Sequence, residues 1–170
     1  MTNQPRISRR GDSALWATIL LIIVATAGAV ALSMQLFNHV SDAWYMGLIK
    51  PSLTPPAAVI APIWLVLFTL MVASAVLVRI ETRPLESASP AYGLYFLQLS
   101  TLVMWVLFFL HYKEIDLSLG ILCALWLVVV SMIQEFDRHS RLAALLQLPY
   151  LGWLTFMIYL NGHMLIGNSG

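Results

Sequence analysis

Read for polar and apolar positions, the chain divides into five long stretches without Asp, Glu, Lys or Arg: 13–41, 51–78, 87–112, 117–134 and 142–170. Short charged connections separate the later ones. A bilayer hydrocarbon core about 30 Å thick needs roughly 20 apolar residues in helical form, so each stretch holds one span. The predicted helices cover about 14–37, 56–79, 90–112, 117–135 and 142–166. The fourth stretch is the shortest, and its helix is expected to run near the membrane normal or to draw on snorkelling flanks. A membrane barrel would show short alternating segments instead of continuous apolar runs. Connections over 79–86, 113–116 and 135–141 are short enough to make neighbouring helices antiparallel. The pattern therefore predicts an all-α membrane protein: a short basic arm over 1–12 and a single five-transmembrane-helix bundle over 13–170.

Composition agrees. The 170 residues are 60% hydrophobic and 10% charged, whereas soluble domains are about 45–50% apolar and about 25% charged. The net charge of +1 provides no basic field for nucleic acid, so lipid and apolar molecules are the expected partners. The single Cys123 excludes a disulfide framework within one chain. The first apolar run, from Ala14 to Met34, is longer than the roughly 7–15 residues of a signal-peptide core and reads as an uncleaved helix. Assigned to alternating sides, Arg6, Arg9, Arg10, Arg79, Arg83, Arg138 and Arg141 share one face, against Lys50 and Lys113 on the other. The positive-inside rule then expects a cytoplasmic N-terminus.

One stretch breaks the helical pattern, "WYMGLIKPSLTPPAAVIAPIW" from Trp44 to Trp64. Pro51, Pro55 and Pro56 remove N–H donors, and residues before proline avoid the helical region, so a Pro-rich loop joins the first two helices. Two readings stand. The loop either simply starts the second helix, with Trp44 and Tyr45 as interfacial aromatics, or it covers a cavity, since non-helical backbone near membrane depth must pack on protein.

This stretch resembles the signature WYxxLxKPxWxPPxxxFxPxW of the tryptophan-rich sensory protein and translocator protein family, TspO/MBR, also called the peripheral benzodiazepine receptor family. "QLSTLVMWVLFF" (98–109) resembles that family's third-helix pattern, "AALLQLPYLGWLTFMIYLN" (143–161) its fifth, and Asn168 falls where members often carry a terminal Asn. The resemblance implies a tetrapyrrole (porphyrin or haem) ligand, with no cofactor required, under a loop lid formed by Trp44, Leu53, Pro55 and Pro56. It also implies a homodimer. Leu53, Ile60, Phe68 and Leu102 stand where members often have Trp, Phe, Tyr and Asn, which implies a more apolar pocket here. The sterol motif that animal members carry at the end of the fifth helix is absent, because no Lys or Arg follows Arg141. With the charge bias, this points to a bacterial cell membrane.

Helical spacing shows how the matched residues could share one site. Trp64 and Phe68 are i,i+4; Gln98, Leu102 and Trp105 are i, i+4, i+7; Trp153 and Met157 are i,i+4. Facing inward, these three sets would make flat aromatic walls with one amide, Gln98, suited to a large planar apolar molecule. Helix packing is the competing role for each aromatic, and interhelical hydrogen bonding for Gln98. His39, His111, His139 and His163 lie at predicted boundaries without an i,i+4 pair, so no metal site is expected. No carboxylate pair lies inside a span, and no nucleophile–base pair or phosphate loop appears. The resemblance implies a tetrapyrrole-binding sensor or regulator, and binding ranks ahead of turnover because tryptophan is a poor acid or base. The resemblance adds two alternatives: light- and oxygen-dependent porphyrin degradation resting on Trp64 and Trp153, and small-molecule transport.

Overall fold

The computed structural model describes residues 7–37, 43–82 and 88–168, which are helical throughout apart from short connections. Five helices are long and apolar enough to cross a membrane, at Ser13–Leu36, Ala58–Glu81, Ser89–His111, Ile115–Asp137 and Arg141–Asn168. In chain order the elements are α1 (Ile7–Phe37), α2 (Ala43–Gly47), α3 (Ala57–Glu81), α4 (Ser89–Val106), α5 (Ile115–Asp137), α6 (Arg141–Leu146) and α7 (Leu148–Asn168). α4 runs on into a π-helical turn over Leu107–His111.

Local chemistry accounts for the boundaries. α1 begins within the segment expected to be a basic arm, whose residues 1–6 lie outside the described ones. Pro56, with φ −59° and ψ 144°, caps α3 from outside the helix, so α3 starts one residue later than the sequence predicts. The π turn closes α4 through a Tyr112 N–H bond to the Leu107 carbonyl at 3.1 Å. Lys113, at φ 63°, then reverses the chain into α5; this left-handed conformation is uncommon outside glycine. The last span is interrupted. Pro149 has no N–H and its ring opposes the carbonyl four residues back, so the helix breaks at Gln147, whose own N–H turns to the Ala144 carbonyl at 3.1 Å.

α1 packs on α3 and α4, α4 on α5, α5 on α6 and α7, and α6 and α7 on α3. The spans thus close a ring in the order α1, α3, α6–α7, α5, α4. Their inner faces form one core that includes Met71, Tyr95, Leu102, Leu125, Phe136, Tyr150 and Leu154. Outward positions such as Trp16, Val66, Leu127 and Ile166 are exposed and apolar, as lipid contact requires.

Candidate functional site

At the end of the ring nearest the Pro-rich loop, the inner faces part around a cavity of about 470 Å³. α3 contributes Ile60, Ala61, Trp64, Leu65 and Phe68; α4 with its π turn contributes Leu102, Trp105, Val106, Phe109 and Leu110; α7 contributes Trp153, Met157, Leu160, Asn161 and Met164. α1 supplies Val30, Ser33 and Met34, α2 supplies Tyr45, and the connection from α2 to α3 supplies Thr54 and Pro55. Six of the seven residues expected to bind ligand therefore line one cavity: Trp64, Phe68, Leu102, Trp105, Trp153 and Met157. Gln98 does not. It lies four residues before Leu102 on the same face, about 6 Å deeper in the bundle, and is fully buried below the cavity.

The walls are aromatic. Trp64 stacks on Phe68 with centroids 5.4 Å apart and meets Trp153 edge-on at 6.3 Å. Across the cavity, Trp105 stacks on Phe109 at 6.0 Å with planes 13° apart. Trp44 and Tyr45 of α2 rest edge-on against Phe109 at 6.0 and 6.3 Å, so the loop is joined to the wall through rings. Lys50 Nζ lies 4.4 Å from the Tyr45 ring centroid, within cation–π range. Burial pushes the Tyr45 phenol above its ordinary pKa.

Of the four expected lid residues, only Pro55 lines the cavity. A turn closed by Thr54 N–H on the Pro51 carbonyl at 3.0 Å puts Leu53 at its tip, exposed. Pro56 also faces outward, and Trp44 acts through Phe109. The loop is held instead by Asn168 at the end of α7. Its carboxamide accepts from the Ile49 N–H at 3.0 Å and donates to the Ile49 carbonyl at 3.2 Å and to the Met164 carbonyl at 2.7 Å. Beside it, a Cβ on Gly167 would come within 3.2 Å of Ile49 Cγ2, so glycine permits this close approach.

The amide in the cavity wall is Asn161. With its carboxamide assigned in the orientation that satisfies its neighbours, the oxygen accepts from Trp105 Nε1 at 3.3 Å and Ser118 Oγ at 3.2 Å, and the nitrogen donates to the Ile115 carbonyl at 3.2 Å. Asn161 thereby fixes the plane of Trp105. Asn161→Leu is expected to destabilise the protein by about 1–3 kcal/mol, because a buried indole N–H is left unpaired. Trp105→Phe in the same background should restore part of that loss in thermal unfolding; additive losses would contradict the pairing. Both residues belong to motifs quoted above, and extending the face of Trp153 and Met157 to Asn161 and Met164 would have found the amide. On α1 the corresponding signal is the i,i+7 spacing of Thr26 and Ser33, both buried on the face that meets the bundle.

Trp64 Nε1, Trp153 Nε1 and Ser33 Oγ are buried with no hydrogen-bond partner among the described residues. The cavity therefore combines apolar aromatic walls with a few free polar atoms, and its described lining holds no Asp, Glu, His, Lys, Arg or Cys.

Comparison with known proteins agrees with this architecture. Residues 15–166 match the model of the TspO/MBR family. The chain is 32% identical over 146 residues to the tryptophan-rich sensory protein of Cereibacter sphaeroides, covering 86% of this chain and 88% of that one. It is 31% identical over 148 residues to the tryptophan-rich protein TspO of Archaeoglobus fulgidus, covering 86% and 92%. It is 34% identical over 128 residues to the translocator protein of Sus scrofa, covering 75% and 76%. With a family match over nearly its whole length, and that family's motifs placed around one cavity, this membrane protein belongs to the TspO/MBR family.

Proposed function

We propose that the protein is a membrane sensor or regulator that binds a tetrapyrrole, porphyrin or haem, in the cavity beneath the α2–α3 loop. The observation that carries this reading is the pair of aromatic walls: Trp64 stacked on Phe68 on one side, Trp105 stacked on Phe109 on the other, around about 470 Å³ of mostly apolar space. That volume is in the range of about 300–1,000 Å³ usual for small-molecule sites, and flat rings favour a flat ligand. The names of the relatives support a sensory role for some members and translocation for others.

The test is protoporphyrin titration followed by tryptophan quenching. Trp105→Ala should weaken affinity about two- to tenfold, the loss of one aromatic contact of about 0.5–1.5 kcal/mol. Leu127→Ala, on the lipid-facing side, should leave the curve unchanged, and equal curves for the two variants would refute the assignment. A second reading rests on the contact between Trp64 and Trp153, the pair on which light- and oxygen-dependent porphyrin breakdown would depend. Loss of the porphyrin absorbance bands under illumination in air, abolished by Trp153→Phe, would favour it over binding alone.

The same proposal places the N-terminus in the cytoplasm and the loop on the opposite face, on the seven-to-two distribution of Arg and Lys. Impermeant thiol labelling of Ser52→Cys in a Cys123→Ser background checks this. Labelling of that cysteine from the cytoplasmic side would invert the orientation.

A further inference from the structure

The cavity is walled almost wholly by buried or half-buried side chains, and the exceptions share one edge. Among its described lining residues only Met34, Ala61 and Leu65 are exposed, Met34 at 60% and Leu65 at 69%. A side chain that both lines a cavity and faces outward marks where that cavity opens. Ala61 and Leu65 are i,i+4 on α3 and so stand on one edge of it. Leu65 and Ser74 lie about two and a half turns apart at 3.6 residues per turn, and Ser74 bonds to the Ala143 carbonyl of α6 at 2.7 Å. The edge holding Leu65 is thus turned away from the α6–α7 span and toward α1, the other span on which α3 packs. Met34 is its exposed counterpart on α1. Further along the same edge of α3, away from the loop, Val72 and Val76 are half-buried, so the opening is confined to the loop end of the bundle.

We infer that this opening between α1 and α3 is a lateral portal, through which a ligand passes between the cavity and the bilayer hydrocarbon without crossing water. Its rim carries a thioether, a methyl and an isobutyl group, with no N–H, hydroxyl or charge. Lipid tails are as apolar as leucine, so an apolar molecule slips from one to the other with no polar group to desolvate. The alanine at position 61 keeps the rim wide where a larger side chain would fill it. The other end of the cavity is closed by the Pro-rich loop, which Asn168 holds at Ile49. The class of ligand this route serves is a membrane-dissolved, largely apolar molecule, drawn from the leaflet on the loop side. The opening belongs to the helices and exists whatever occupies the cavity.

The experiment uses the full chain reconstituted in vesicles. With no ligand added, phospholipid brominated in its acyl chains should quench part of the tryptophan emission through the opening. Ala61→Phe, which fills the rim, should reduce that quenching, and Val66→Phe, on the outer face, should not. Equal quenching in Ala61→Phe and the unaltered protein, or an equal reduction in Val66→Phe, overturns the portal. A second arm, which rests on the tetrapyrrole reading, follows protoporphyrin dissolved in the vesicle bilayer by stopped-flow quenching. Ala61→Phe should slow association and release together, each by about tenfold, as passage must now displace an overpacked side chain. Met34→Phe, from the α1 side of the rim, should act in the same direction. Mere shrinkage of the cavity would quicken release instead, and either that result or an unchanged association rate in both variants overturns the portal. If protoporphyrin does not bind the unaltered protein while the brominated-lipid result holds, the tetrapyrrole reading falls and the portal stands.

Discussion

Asn168→Ala should release bound protoporphyrin about tenfold faster than the unaltered protein, with little change in the association rate. Asn168 clamps Ile49 through two hydrogen bonds, one in each direction, and each is worth about 0.5–1.5 kcal/mol net. Losing both is on the order of one factor of ten in an equilibrium between closed and open loop. The loop carries Tyr45, Thr54 and Pro55 into the cavity wall, so its detachment opens the site from that side. Because related variants usually differ in off-rate more than on-rate, stopped-flow release is the measurement. Leu53→Trp, at the exposed turn tip, is the matched control and should leave release unchanged. If Leu53→Trp slows release while Asn168→Ala does not quicken it, the loop is governed by its tip and the clamp is incidental.

Trp64→Ala should have the largest effect on both stability and binding. Trp64 touches Phe68, Tyr150 and Trp153, linking the two faces of α3 and α7 and the cavity wall to its floor. Truncating a buried Trp costs on the order of 3–5 kcal/mol in well-packed cores. Between membrane helices that loss is chiefly van der Waals packing, because lipid is as apolar as the core it would replace. The expected result is a Tm lowered by several degrees and porphyrin affinity reduced at least tenfold. Trp64→Phe should recover most of the Tm and only part of the affinity. Unchanged affinity in Trp64→Ala would remove Trp64 from the site.

The spans were legible because charge is so costly in hydrocarbon that the gaps between charged clusters count them directly. Boundaries were legible wherever proline or a charge enforced them. The break at Gln147 was not read, although Pro149 was visible, because the apolar run continues through it and hydropathy carries no record of backbone continuity. Within the site, the aromatic i,i+4 pairs on α3, α4 and α7 pointed to one cavity because their matched motifs gave each helix a face. Gln98 shares that face yet lies too deep: periodicity reports direction around a helix and says little of depth along it. The share of α1 in the wall, Val30, Ser33 and Met34, was marked only by the i,i+7 hydroxyls of Thr26 and Ser33, a weak signal because such groups readily bond to their own helix backbone. The clamp joins the Asn168 side chain to the Ile49 backbone across 119 residues, and the side-chain pattern does not encode the Ile49 half of it.

The interruption of the last span divides it into a short anchor and a long rod. α6 is held against α3 and α5, with Ser74 Oγ donating to the Ala143 carbonyl at 2.7 Å. α7 runs from the break to Asn168, a lever arm about 31 Å long at 1.5 Å per residue. A tilt of about 5° at its base would carry the far end through about 3 Å. That displacement is comparable to the 3.0 Å bond with which Asn168 grips Ile49. A small angular change where Gln147 and Tyr150 sit would therefore be magnified, along one rigid helix, into engagement or release at the opposite membrane face.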